Sequence, residues 1–114
     1  MFRGFSPNTL STETTIENFI YKYDIPFNVS IDYNHINNQH GSYTQYYQPI
    51  VTPEVFVEWN DNLLYRGMID NSYQSLGEWA LPTEHYLFDV LMAITNEKEL
   101  EYFETTAIGC FINY

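Results

Sequence analysis

The chain has 114 residues, the size of one compact domain, with 45% hydrophobic and 18% aromatic residues. That composition excludes intrinsic disorder, and no apolar run has the length of a membrane-spanning helix. Four Lys and Arg against fifteen Asp and Glu leave a net charge of −11. Phosphate backbones and anionic membrane surfaces repel such a chain, so neither nucleic acid nor a membrane is expected as a partner.

The first element in chain order is a short apolar strand over residues 1–5, broken by Ser6-Pro7-Asn8. Thr14-x-x-Glu17 has the form of a capping box, and Ile16, Phe19, Ile20 and Tyr23 repeat at helical spacing. The pattern predicts an amphipathic helix over 12–23, ended by Asp24-Ile25-Pro26 because the residue before proline resists helical angles. Residues 27–31 alternate apolar and polar as a half-buried strand. Residues 32–48, rich in Asn, Gln, Tyr and His, read as a loop with room for one helical turn near 43–47.

Next, residues 54–59 and 63–69 flank Asn60-Asp61-Asn62, which predicts a β-hairpin around a three-residue turn. A loop over 70–82 follows. Thr83 is then expected to cap a helix with Leu87, Val90, Leu91 and Ile94 on its apolar face, Glu84 favourably near its N-terminus and Asn96 as its stop. The acidic stretch 97–104 leads to a tail over 105–112. The order β-α-β-loop-β-β-α-tail is mixed α/β, in one domain spanning 1–114 without repeats or linkers.

Several chemical signatures are missing. The chain has no Gly-x-Gly-x-x-Gly, no phosphate-binding loop, no His-Glu-x-x-His and no Cys-x-x-Cys. A single cysteine, Cys110, forbids an internal disulfide and any multi-cysteine metal site. His35, His40 and His85 have no ligand-like spacing and read as surface histidines. Glu97, Glu99 and Glu101 read as a solvated acidic face. No metal and no cofactor is therefore expected. Asn28-Val29-Ser30 fits a glycosylation sequon, yet the first residues lack the basic start and apolar stretch of a secretory signal.

Thr52-Pro53 stands directly before the first hairpin strand. Proline lacks the N–H that a central ladder needs, so it belongs at a strand start, where a trans or a cis peptide bond would fit. A cis bond leaves the neighbouring backbone groups open to a peptide-like ligand.

Thr52-Pro53-Glu54-Val55-Phe56-Val57 followed by Leu64-Tyr65-Arg66-Gly67-Met68-Ile69-Asp70 resembles the C-terminal half of thioredoxin-like redoxins of the alkyl hydroperoxide reductase/thiol-specific antioxidant type. The likeness continues through Pro82-Thr83-x-His85-x-Leu87 and Thr105-x-Ala107-x-Gly109-Cys110-x-Ile112, and upstream to Gly4-Phe5-Ser6-Pro7-Asn8 and Tyr23-x-Ile25-Pro26-Phe27. It covers most of the chain, with 34–48 poorly matched.

The resemblance implies a thioredoxin-like three-layer fold and favours a cis Pro53 facing the reactive cysteines, with Thr52 holding the substrate's backbone. It also implies a preceding strand and helix carrying the nucleophilic cysteine, whose thiolate the helix dipole favours. The chain is then the incomplete, N-terminally truncated segment of a longer protein. The parent would perform thiol-disulfide exchange or thiol-dependent peroxide reduction on a thiol or disulfide protein or a peroxide. A missing central strand would leave open sheet edges, through which two copies could pair as a homodimer.

Cys110 is the catalytic candidate within the chain, although no sequence neighbour is a Lys, Arg or His. The rival reading is a non-catalytic thioredoxin-fold interaction module, with the Tyr-rich segment 33–47 as its contact surface.

Overall fold

The computed structural model describes residues 2–75 and 77–114. Helices and strands are mixed along the chain, as in a small α/β arrangement. They fall into two compact units, one reaching to Gln48 and including Ile112–Tyr114, the other Pro49–Phe111.

In the first unit, β1 (Gly4–Ser6), α1 (Glu13–Tyr23) and β2 (Val29–Ile31) form a parallel β-α-β crossover, with Gly4 opposite Val29 and Ser6 opposite Ile31. The predicted strand began at Met1, which lies outside the described residues. The capping box sits two residues earlier than expected. Thr12 is the N-cap; its hydroxyl accepts from the Thr15 N–H at 3.2 Å, and Thr15 Oγ1 accepts from the Thr12 N–H at 2.8 Å. Thr15 therefore does at N3 what Glu or Gln commonly does, and the Thr14/Glu17 assignment is corrected. The helix closes at Asp24 in the left-handed region, φ 50°, with Ile25 N–H donating to Ile20 O at 3.0 Å.

The predicted loop 32–48 is largely ordered into elements. β3 (Tyr33–Asn34) and β4 (Gln39–His40) form a small antiparallel hairpin. Asn34 Oδ1 accepts from the Ile36 N–H at 2.8 Å, and Asn38 takes φ 53°, so asparagine chemistry makes the turn. α2 (Ser42–Tyr47) begins at Gly41, which has no side chain to cap it. Asp32 supplies the acceptor instead: its buried Oδ2 receives the Thr44 N–H at 2.6 Å and the Thr44 hydroxyl at 2.7 Å. Phe5 stacks on Tyr43 and Tyr47, with centroids 5.4 and 6.2 Å away.

The second unit is built on a three-stranded sheet. β6 (Val55–Trp59) and β7 (Asn62–Gly67) are an antiparallel hairpin, and β10 (Phe103–Glu104) adds parallel to β7. α3 (Tyr86–Thr95) lies in the crossover between β7 and β10. The turn has two residues rather than three. Asn60 and Asp61 take φ 51° and 62°, the pair of positive angles a type I′ turn needs, and Asn62 already pairs with Trp59. A bulge at Val57/Glu58 absorbs one residue of register.

The apolar face of α3 meets the sheet where Val57, Tyr65 and Val90 are buried, ringed by Val55, Tyr86, Leu87, Leu91, Ile94 and Leu100. Each such buried aliphatic side chain contributes about 2 kcal/mol.

Thr83 does not cap α3 through its side chain. His85 holds the N-cap position without a side-chain bond, and Asn71 Oδ1 accepts from the N–H groups of Thr83 and Glu84, both at 2.9 Å. The predicted loop 70–82 contains the antiparallel pair β8 (Tyr73–Ser75) and β9 (Glu78–Trp79); Leu76 lies outside the described residues.

Candidate functional site

Two short strands bring the predicted site residues together. β5 (Val51–Thr52) pairs antiparallel with β11 (Cys110–Phe111), placing Cys110 directly opposite Thr52 and Phe111 opposite Val51. Partners in such a pair have Cα atoms about 4.5–5.5 Å apart. The Thr52–Pro53 peptide bond is cis. Gly109 makes the close approach feasible, since a Cβ there would lie 2.1 Å from Thr52 O and 3.2 Å from Pro53 N. Cys110 is a free, exposed thiol.

The β5 segment is anchored from both sides. Val51 is buried. Ile50, just before it, donates its N–H to Glu54 Oε1 at 2.8 Å. The other Glu54 oxygen, Oε2, receives Arg66 Nε at 3.1 Å and Nη2 at 2.8 Å, a forked contact across the β6–β7 hairpin. The side chains are 4% exposed for Glu54 and 19% for Arg66, whose guanidinium also sits 4.9 Å from the Phe56 ring centroid.

A second network holds the segment that leads into β11. Tyr65 is fully buried; its hydroxyl donates to Met68 O at 2.6 Å and lies 2.6 Å from Thr105 Oγ1. The single phenol proton goes to the carbonyl, so the Thr105 hydroxyl donates to Tyr65 while accepting from the Met68 N–H at 2.9 Å. Burial pushes the Tyr65 hydroxyl above its ordinary value of 10.0, against the Thr105 bond that lowers it. Thr105 also donates its N–H to Arg66 O at 3.1 Å, tying the tail to β7.

The histidines have packing roles where their contacts are seen. His35 and His40 each set an edge against the Tyr33 ring, 5.0 and 5.2 Å away. His40 Nε2 lies 2.8 Å from Asn113 O, and its ring also meets Tyr114. A carbonyl can only accept, so Nε2 carries the proton. His85 is exposed at the start of α3. Among the described residues no three His, Cys, Asp or Glu side chains gather to hold a metal ion, and no helix is long and apolar enough to cross a membrane.

Sequence reasoning picked Thr52, Pro53 and Cys110 but passed over Glu54, Arg66 and Gly109. A weak signal for the first two was present: Glu54 and Arg66 carry opposite charges on the two arms flanking the Asn60-Asp61 turn, and with Arg66 opposite Phe56 they meet diagonally, within reach of long side chains. Chemically, the site presents one exposed thiol beside a short strand pair. Compared with family models, with curated proteins and with solved structures, the chain gives no match in any of the three.

Proposed function

We propose that the chain is a thioredoxin-like redoxin segment whose full-length parent carries out thiol-disulfide exchange or thiol-dependent peroxide reduction. Thr52 and Pro53 form the substrate-side platform, and Cys110 is the thiol beside it. The observation that carries this reading is the pairing of Cys110 with Thr52 across β5 and β11. It is supported by the order of elements: a parallel β-α-β unit, then an antiparallel hairpin entered from Pro53, then a helix. Pairing of two copies through the incomplete sheet belongs to the same reading. The rival, a Tyr-rich contact surface, is weakened because Tyr33, Tyr43 and Tyr47 are half-buried in ring contacts within their own unit.

One thiol can exchange with a disulfide but cannot reduce it outright. The Cys110 thiol loses its proton to solvent, and its sulfur attacks one sulfur of the partner disulfide. A mixed disulfide forms, and the other sulfur leaves as a thiolate with the bonding electron pair. Net reduction needs a second thiol, which this chain lacks. The isolated chain is therefore expected to show no turnover in an insulin-reduction assay, and clear turnover would overturn that account.

The platform itself is tested by comparing two disulfides. A blocked, uncharged Ala-Cys-Ala disulfide dimer can use the Thr52 backbone, whereas 2,2′-dithiodipyridine cannot. If Thr52 and Pro53 orient peptide disulfides, replacing Thr52 with Pro slows the peptide reaction selectively. Equal slowing of both reagents, or of neither, removes the platform.

A further inference from the structure

Glu54 stands out as a buried carboxylate whose two oxygens are used for different purposes. Oε2 is spent on Arg66 and Oε1 on the backbone of Ile50, four residues upstream. Replacing a buried ion pair by apolar residues of similar volume is commonly neutral or stabilising, so its presence is weak evidence of a stabilising role. What an apolar pair cannot supply is a directed acceptor. Here the acceptor closes the stretch from Ile50 to Glu54 and thereby fixes the strand that carries Thr52.

We propose that Glu54, oriented by Arg66, is the positioning residue of the Thr52–Cys110 site: its carboxylate sets the path of β5 and so the register in which β11 presents Cys110. The inference rests on the reading of that site as a thiol platform. A two-residue ladder has little cohesion of its own, and β5 and β11 are each two residues long. Val51 gives the pair depth in the core, and Gly109 allows it to close against the Thr52 carbonyl. Neither determines the direction in which the Ile50–Thr52 backbone runs. The Ile50 N–H to Glu54 bond does, and Arg66 stacked on Phe56 holds that carboxylate in one rotamer.

The test compares wild type, Glu54→Met and Arg66→Lys by the rate of mixed-disulfide formation at Cys110 with the two disulfides named above. Loss of Glu54 is expected to lower the ratio of peptide rate to dithiodipyridine rate about tenfold, the scale of one charge-assisted hydrogen bond. Arg66→Lys keeps a cation near the carboxylate but loses the fork and the stacking on Phe56, so it is expected to lower the ratio in the same direction as Glu54→Met and by less; a ratio unchanged in Arg66→Lys overturns the orienting role of Arg66. A Glu54→Met protein that is merely less stable but keeps the wild-type ratio overturns the proposal.

Amide exchange gives a reading that does not depend on the thiol chemistry. In Glu54→Gln, which keeps the side-chain shape, the single amide oxygen cannot serve both Arg66 and Ile50. The amides of Ile50 and β11 are expected to exchange about tenfold faster while those paired between β6 and β7 do not. Unchanged protection at Ile50 and β11 overturns the positioning role. Should wild type show no preference for the peptide disulfide, the platform reading fails, and the exchange result still decides whether Glu54 sets the path of β5.

Discussion

A methyl group at position 109 would lie 2.1 Å from Thr52 O, and one at position 67 would lie 2.2 Å from Thr105 Oγ1 on a backbone at φ +138°. Both glycines are held by close approach within the Pro49–Phe111 unit, and the second also by conformation. Gly109→Ala is expected to cost about 1–3 kcal/mol in urea denaturation, the usual penalty for overpacking. Gly77, at φ +79° with nothing within 4 Å, should lose only about 1 kcal/mol as Ala, from backbone strain alone. Tyr65 offers a test in pH. Its folded pKa is raised above 10.0, so its contribution is complete below pH 10 and is lost as pH rises through the folded value. Tyr65→Phe should therefore lower stability near neutrality by about 1 kcal/mol and flatten the fall above pH 10. An unchanged alkaline limb in that variant would remove Tyr65 as its cause.

At the level of elements, periodicity was a good guide to helices and a poor one to short strands. The i, i+3, i+4, i+7 spacing located both α1 and α3, although only α3 buries its stripe at Val90, while α1 half-buries Ile16 and Ile20 and leaves Phe19 and Tyr23 exposed. It could not choose among Thr12, Thr14 and Thr15 for the cap, since all three can accept from an amide and the fourth residue of a box need not be acidic. Thr12→Ala is expected to cost α1 stability by about 1 kcal/mol, whereas Glu17→Ala should change it by less than about 0.5 kcal/mol, measured by thermal unfolding. The reverse order would restore the Thr14/Glu17 box. The β3–β4 and β8–β9 pairs carry only two or three residues per strand, too few for an alternating pattern to register. Asn34, Asn38 and Gly77 were their legible signals, as turn residues rather than as strand formers.

For the whole molecule, charge and exposed apolar surface pull in opposite directions. Residues 49–111 hold eleven carboxylates against Arg66 and Lys98, so nine of the net eleven negative charges reside in that unit. Self-repulsion of this size weakens folding and is screened by salt. Raising NaCl from about 10 to 200 mM should raise the Tm; a flat or falling Tm would mean that repulsion is already relieved by local pairing. Against that repulsion stands exposed apolar surface: Leu10, Ile36, Leu81 and Phe111 are each more than three-quarters exposed. Sedimentation across the same salt series reads whether two copies pair once their repulsion is screened, as the open-sheet reading expects.

Composition and spacing by themselves were enough for the mixed α/β class, for both long helices, for the β6–β7 hairpin and for Thr52-Pro53 at its entrance. These are local matters, decided by the apolar stripe of a helix, the turn chemistry of Asn and Asp, and the missing N–H of proline. The partner of Thr52 was beyond that reach, because Cys110 lies 58 positions away in a tail with no strand-like alternation. So were the roles of Glu54, whose two oxygens serve a guanidinium and a backbone amide, and of Asp32, which caps a helix from ten residues upstream. Each depends on a side chain meeting a group distant along the chain, and only the packed arrangement brings such groups within hydrogen-bonding distance.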